Sequence, residues 1–113
     1  MLSKVFRITQ EKDFSLIYRR GQRVSGNLLR LTVLRTNQNA TRFGFVIGKK
    51  ESPKATARNR FKRILRAEVR ERHKRIKTGY DVIIQGRSGS RTVAPAQLRA
   101  EFEKLLSKAK LIA

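Results

Sequence analysis

Residues 49–77 limit the fold more than any other part of the chain. Phe61, Ile64, Leu65 and Val69 recur at the spacing of one helix face. Lys62, Arg63, Arg66, Arg70 and Lys74 fall on the opposite arc at 100° per residue. This predicts a helix over 56–75 that gives one stripe to a core and turns cations outward. Residues 49–77 carry 13 Lys and Arg against three acids, a net +10 that is half of the chain's formal +20. Self-repulsion of that size works against a compact state unless a polyanion neutralises it. Glu68 falls inside the apolar stripe, with Arg72 and Arg75 on its side. The last two turns are therefore expected to run beyond the core, with Glu68–Arg72 as an i,i+4 pair.

The flanking sequence supplies the rest of the domain. Residues 1–8 read as extended. Thr9 is placed to cap a helix over 10–20, with Glu11 in its first turn and Gly21 just past its end. Phe14, Ile17 and Tyr18 share one face of it. Residues 24–35 read as a strand, with Leu29, Leu31 and Val33 on one side and Arg30 and Thr32 on the other. The stretch 36–41, TNQNAT, supplies turn residues. RFGFVIG at 42–48 alternates and reads as the second arm of a hairpin. It turns Phe43, Phe45 and Ile47 one way and Gly44, Val46 and Gly48 the other. The small-residue face admits either a close-approaching ligand or a helix packed on it. Pro53 ends the strand. Gly79 restarts the chain into a strand over 80–87, and SGSRT at 88–92 reads as a loop. Pro95 opens a last helix whose stripe is Leu98, Phe102, Leu105, Leu106 and Ala109. The order α-β-β-α-β-α predicts an α+β single domain over residues 1–113, a small mixed sheet packed by helices.

With 39% apolar residues the chain can form a core. A formal charge of +20 and a pI near 11.8 point to a polyanion, nucleic acid before a membrane surface. No cysteine is present, which excludes disulfides and thiolate metal sites. No apolar run approaches the roughly 20 residues of a membrane span, and no signal-type h-region opens the chain, which favours the cytoplasm. His73 stands alone and reads as a surface residue. The acids are scattered: Glu101 and Glu103 diverge on their helix, and Asp81 at a strand start reads as structural. Acid–base or metal catalysis by the protein itself finds no support. The cationic arc suits the phosphates of a nucleic acid, without saying which one, because each neutralised phosphate releases condensed counterions and arginine forks onto phosphate; a solvated charged face is the alternative. Phe14 and Tyr18 are candidates for stacking unpaired bases, with plain core packing as the alternative.

FGFVIGKK at 43–50 followed by ARNRFKRILRAE at 57–68 resembles the bacterial ribonuclease P protein family. DFSLIYRRGQRV at 13–24 is similar to that family's first helix, and GYDVIIQGR at 79–87 to its third strand. The likeness covers nearly the whole chain in order. It implies the protein subunit of a ribonucleoprotein that removes 5′ leaders from precursor tRNA, one RNA-binding domain with a left-handed βαβ crossover of a type found in a ribosomal protein. The RNA subunit is then the catalyst, Mg²⁺ is held mainly by that RNA, and no catalytic or metal-binding residue lies in the protein. By the same resemblance Arg58, Asn59, Arg60, Lys62, Arg63, Arg66 and Arg70 face the RNA subunit; the short amide side chain of Asn59 is also expected to bond nearby backbone. Phe14, Tyr18, Val46, Gly48, Lys49 and Lys50 line the cleft for the leader. The protein is expected to be a monomer in its particle, with the RNA subunit and precursor tRNA as partners and no membrane. Two features depart from the family pattern. Gly48 stands where a serine is common, and Leu29, Leu31 and Thr32 stand where relatives often carry an aromatic. The competing readings are a structural RNA-binding protein, such as a ribosomal one, and a stand-alone nuclease.

Overall fold

A computed structural model describes residues 6–87 and 94–112. The chain runs α1 (Glu11–Arg20), β1 (Gln22–Ser25), β2 (Leu29–Arg35), β3 (Arg42–Val46), α2 (Ala55–Arg72), β4 (Tyr80–Gly86) and α3 (Pro95–Lys108). One four-stranded sheet carries helices on both faces, so the α+β expectation holds. Two details of the expected order do not.

The strand expected over 24–35 is two antiparallel strands, with Gln22 opposite Val33 and Ser25 opposite Arg30. The break falls at Gly26–Asn27–Leu28, where the Gly26 N–H donates to the Leu29 carbonyl at 2.8 Å. Glycine and asparagine are turn formers, and the apolar alternation masked them. The turn's backbone donors are satisfied from far along the chain. The Glu101 carboxylate accepts from the N–H groups of Asn27 and Leu28 at 3.1 and 2.7 Å, and also from Leu29.

β3 is not the hairpin partner of β2 either. The sheet order is β1-β2-β4-β3, with β4 antiparallel to β2 and parallel to β3. Val82, Ile83 and Ile84 have no exposed surface. A strand apolar on both faces takes the centre of a sheet, so β4 displaces the hairpin and leaves β3–α2–β4 as a parallel βαβ unit. The Ile8 N–H donates to the Phe43 carbonyl at 2.8 Å and seals the outer side of β3.

The period of two sends alternate residues into two unequal layers. Leu29, Leu31, Phe43, Val82 and Ile84 join Phe61, Leu65 and Val69 of α2 and Leu98, Phe102, Leu105 and Leu106 of α3 in the larger core. The opposite face holds a smaller cluster of Ile8, Ile17 and Ile83, rimmed by Phe14, Tyr18, Leu34 and Val46. There α1 lies on the sheet, and the glycine question resolves at Gly44: a Cβ on it would stand 2.5 Å from Phe14 Cε1. Only a glycine lets α1 settle this closely. Gly79, with φ +90°, makes the turn into β4.

Helix ends show smaller corrections. α1 starts after Gln10, which makes no side-chain capping bond, and Thr9 is not the cap. Thr9 follows directly on the extended pairing of Ile8 with β3, so the chain turns into the helix one residue later. Pro95 does open α3, and Gln97 Oε1 accepts from the Ala94 N–H at 3.3 Å. The end of α2 does not run beyond the core. Glu68 and Arg72 are buried at 5% and 8% exposure, because α3 lies alongside. The 88–92 loop and residues 1–5 fall outside the described residues.

Candidate nucleic-acid interface

The cations of α2 and of the turn just after it divide into two classes. At its C-terminal end, Arg72 Nη1 donates to Glu68 Oε1 at 2.6 Å, and Arg72 Nε donates to Glu103 of α3. Arg75 reaches the other Glu103 oxygen at 2.7 Å, and Arg99 stands 3.3 Å from Glu68. Burial works against the Arg72 charge, but the hydrogen bonds to Glu103 and Glu68 outweigh it and raise its pKa. The bonds from Arg72 and then Arg75 hold Glu103 below the usual carboxylate range. These cations lock α2 to α3.

The other class is open. None of Arg58, Arg60, Lys62, Arg63, Arg66 and Arg70 forms an ion pair among the described residues. Arg63 and Arg70 are exposed, while Arg60, Lys62 and Arg66 are half-buried along the flank of the helix. The Arg66 guanidinium lies 5.7 Å from the Phe45 ring centroid, which fixes it between helix and sheet edge. Arg58 Nη1 donates to the Ser52 and Pro53 carbonyls at 2.9 and 2.8 Å and ties the incoming loop to the first turn. That backbone bonding was expected of Asn59. Asn59 is instead exposed, and no side-chain hydrogen bond is found for it among the described residues.

The second candidate surface lies between α1 and the sheet. Residues of one face stand in rows across the strands. The row Arg23–Thr32–Ile83–Gly44 lies under α1, and the next row, Ser25–Arg30–Gln85–Val46, extends past Phe14 and Tyr18. Phe14 and Tyr18 are half-buried and border the small cluster, so each ring packs there in part and stays partly accessible. Burial raises the Tyr18 pKa, opposed by the positive charges of Arg23 and Arg30. A neutral phenol therefore sits among guanidiniums, a combination that suits a base and its phosphate together. Val46 is half-buried in the floor, and Lys49 and Lys50 are exposed at its end. Gly48 is half-buried, and the space a side chain would take there is filled by Glu51, whose Oε1 lies 2.6 Å from the position of a Cβ. A small cavity of about 210 Å³ continues the groove between Arg30, Glu51, Gln85 and Arg87.

Arg23, Arg30, Gln85 and Arg87 were not foreseen here. Alternation did put Arg30 opposite Leu29 and Leu31. What was missing was strand order, which alone brings Arg30 beside Gln85 and Val46.

Several carboxylates are engaged within the protein. Asp81 spends both oxygens on Arg42, at 2.9 and 2.7 Å, and the bond to Asp81 raises the Arg42 pKa. Glu101 caps a turn, and Glu68 and Glu103 hold arginines. Among the described residues no three His, Asp or Glu side chains gather to hold a metal. Nor is any described helix long and apolar enough to cross a membrane.

Known proteins resemble this chain along nearly its whole length. The Ribonuclease P family model matches residues 2–110. A ribonuclease P protein component from Pseudanabaena sp. is 34% identical over 113 residues, covering 99% of this chain and 97% of its own. The component from Synechocystis sp. is 35% identical over 106 residues, covering 93% and 80%. Among solved structures, the Staphylococcus aureus RNase P protein superposes with a TM-score of 0.90 at 25% identity, covering 97% of this chain and all of its own. The Thermotoga maritima RNase P protein gives 0.82 at 25% identity, covering 90% and 96%. Match length, identity and shared topology agree, and the chain belongs to the bacterial ribonuclease P protein family.

Proposed function

We propose that this chain, as the protein subunit of the ribonuclease P endoribonuclease, couples the 5′ leader of precursor tRNA to the catalytic RNA through two surfaces. The observation that carries this reading is the division among the cations of α2 and of the turn just after it. Arg72 and Arg75 are spent on Glu68 and Glu103, whereas Arg58, Arg60, Lys62, Arg63, Arg66 and Arg70 form no ion pair among the described residues. These residues, with exposed Asn59, grip the phosphates of the RNA subunit. Phe14, Tyr18, Val46, Gly48, Lys49 and Lys50 hold the leader as a single strand, joined by Arg23 and Arg30. Stacking there is worth about 1–3 kcal/mol per base.

Catalysis belongs to the RNA, and Mg²⁺ mainly to the RNA as well, since Glu68, Asp81, Glu101 and Glu103 are engaged by arginines and backbone donors. The protein works in the cytoplasm as a monomer within the particle. It holds the leader against the ribozyme and screens repulsion between RNA strands, which lowers the Mg²⁺ the reaction needs. The test is reconstitution with the cognate RNA at low Mg²⁺: the protein restores leader removal where the RNA alone is slow. No gain on adding the protein rejects the assignment. A ribosomal role, by contrast, predicts rRNA association without stimulation.

A further inference from the structure

A third basic surface lies away from both of these. It is a cavity of about 570 Å³ between the last turn of α3 and the C-terminal end of β2. Arg20, Arg35, Lys77, Lys108 and Lys110 line it, all exposed. No Asp or Glu lines it, and none of the five is in an ion pair among the described residues. Its floor is different in kind. Val24, Val33 and Tyr80 are half-buried there, on the face of the sheet opposite α1.

Its position follows from the strand register. Arg35 pairs with Tyr80 at one end of the β2–β4 ladder, and Leu29 with Gly86 at the other. The leader groove sits beside the Arg30–Gln85 end, on the other face. Seven residues of strand separate the two ends, roughly 20 Å. The N-terminal half of α2, which follows β3, lies toward that far end as well. One short RNA segment seated in the groove therefore does not reach this cavity.

We propose that this cavity binds an unpaired RNA nucleotide, its base against Tyr80, Val33 and Val24 and its phosphates on the lysine and arginine rim. Each part has its reason. Five like charges around one hollow repel one another and gain from an anion. Inorganic phosphate would satisfy the rim but leave the apolar floor wet. A base covers that floor, and an aromatic side chain is a sequence-tolerant partner for it. A duplex is too broad to enter a hollow of this size.

The test is a titration of the full-length, isotopically labelled protein with the trinucleotide UUU, followed by backbone NMR shifts. Inorganic phosphate and anionic phosphatidylserine vesicles serve as the other arms. The proposal predicts saturable shifts at Val24, Val33 and Tyr80 with UUU at concentrations where phosphate gives none. An Arg35→Ala/Lys110→Ala variant, altered only at exposed side chains, loses these shifts while its UUU-free spectrum away from the cavity stays that of the wild type. Three results overturn the proposal: no shift at Val24, Val33 and Tyr80, equal shifts with phosphate, or shifts with vesicles alone. The readout needs no leader cleavage, so it stands or falls apart from the function proposed above.

Discussion

Single residues decide how closely α1 approaches the sheet, and two glycines make opposite predictions. A Cβ at Gly44 meets the Phe14 ring at 2.5 and 2.7 Å, inside a filled cluster. Gly44→Ala should cost about 1–3 kcal/mol by overpacking, seen as a lower denaturant midpoint. It should also weaken leader binding, since Phe14 must move. At Gly48 the obstacle is the free end of the Glu51 side chain, which can swing away. Gly48→Ser should therefore change stability by no more than about 0.5 kcal/mol in the same assay. The sequence marks Gly44 and Gly48 alike as small residues on one strand face. Only the packing of α1 separates them, because what fills the space over a glycine comes from elsewhere in the chain.

At the scale of elements, α2 has an anchored half and an open half. Glu103 sits below the usual carboxylate range, held there by Arg72 and then Arg75. A depressed carboxylate adds stability that is fully present above its ordinary pKa of 4.5 and is lost as pH falls through its lower folded value. The stability difference between wild type and Glu103→Gln should thus be constant near neutrality and shrink as pH drops below about 4, which urea unfolding across pH measures. The open half is read by salt. Arg63→Ala should weaken binding to the catalytic RNA and reduce the slope of log K against log salt by about one. Arg75→Ala, already spent on Glu103, should leave the slope unchanged.

The periodicity of α2 was legible in the sequence, down to the Glu68–Arg72 pair. Its burial was not. That needs α3 to bring Glu103 and Arg99 alongside, a contact 31 residues distant in the chain. The strand order hid for the same reason. β3 and β2 each alternate well enough for a hairpin, and only the two-sided burial of β4 puts it between them.

Taken whole, the molecule is a sheet surrounded by three basic surfaces. Glu68, Asp81, Glu101 and Glu103 tie arginines or a turn, and most of the +20 faces outward over the open flank of α2, the groove beside α1 and the cavity at the end of α3. The α+β class, the helices and a nucleic-acid partner follow from charge and periodicity, and RNA as that partner from the family resemblance. The groove does not, because it exists only once Ser25, Arg30, Gln85 and Val46 stand in one row. The account rests on that groove telling precursor from product. The direct measurement is the ratio of affinities for precursor and mature tRNA in the reconstituted particle, for wild type and for Tyr18→Ala/Arg30→Ala. The account predicts a tighter precursor in wild type and a ratio that falls at least tenfold in the variant, the equivalent of about 1.4 kcal/mol, with mature tRNA unaffected. A ratio unchanged by the two substitutions, or an equal loss for both tRNAs, would contradict it.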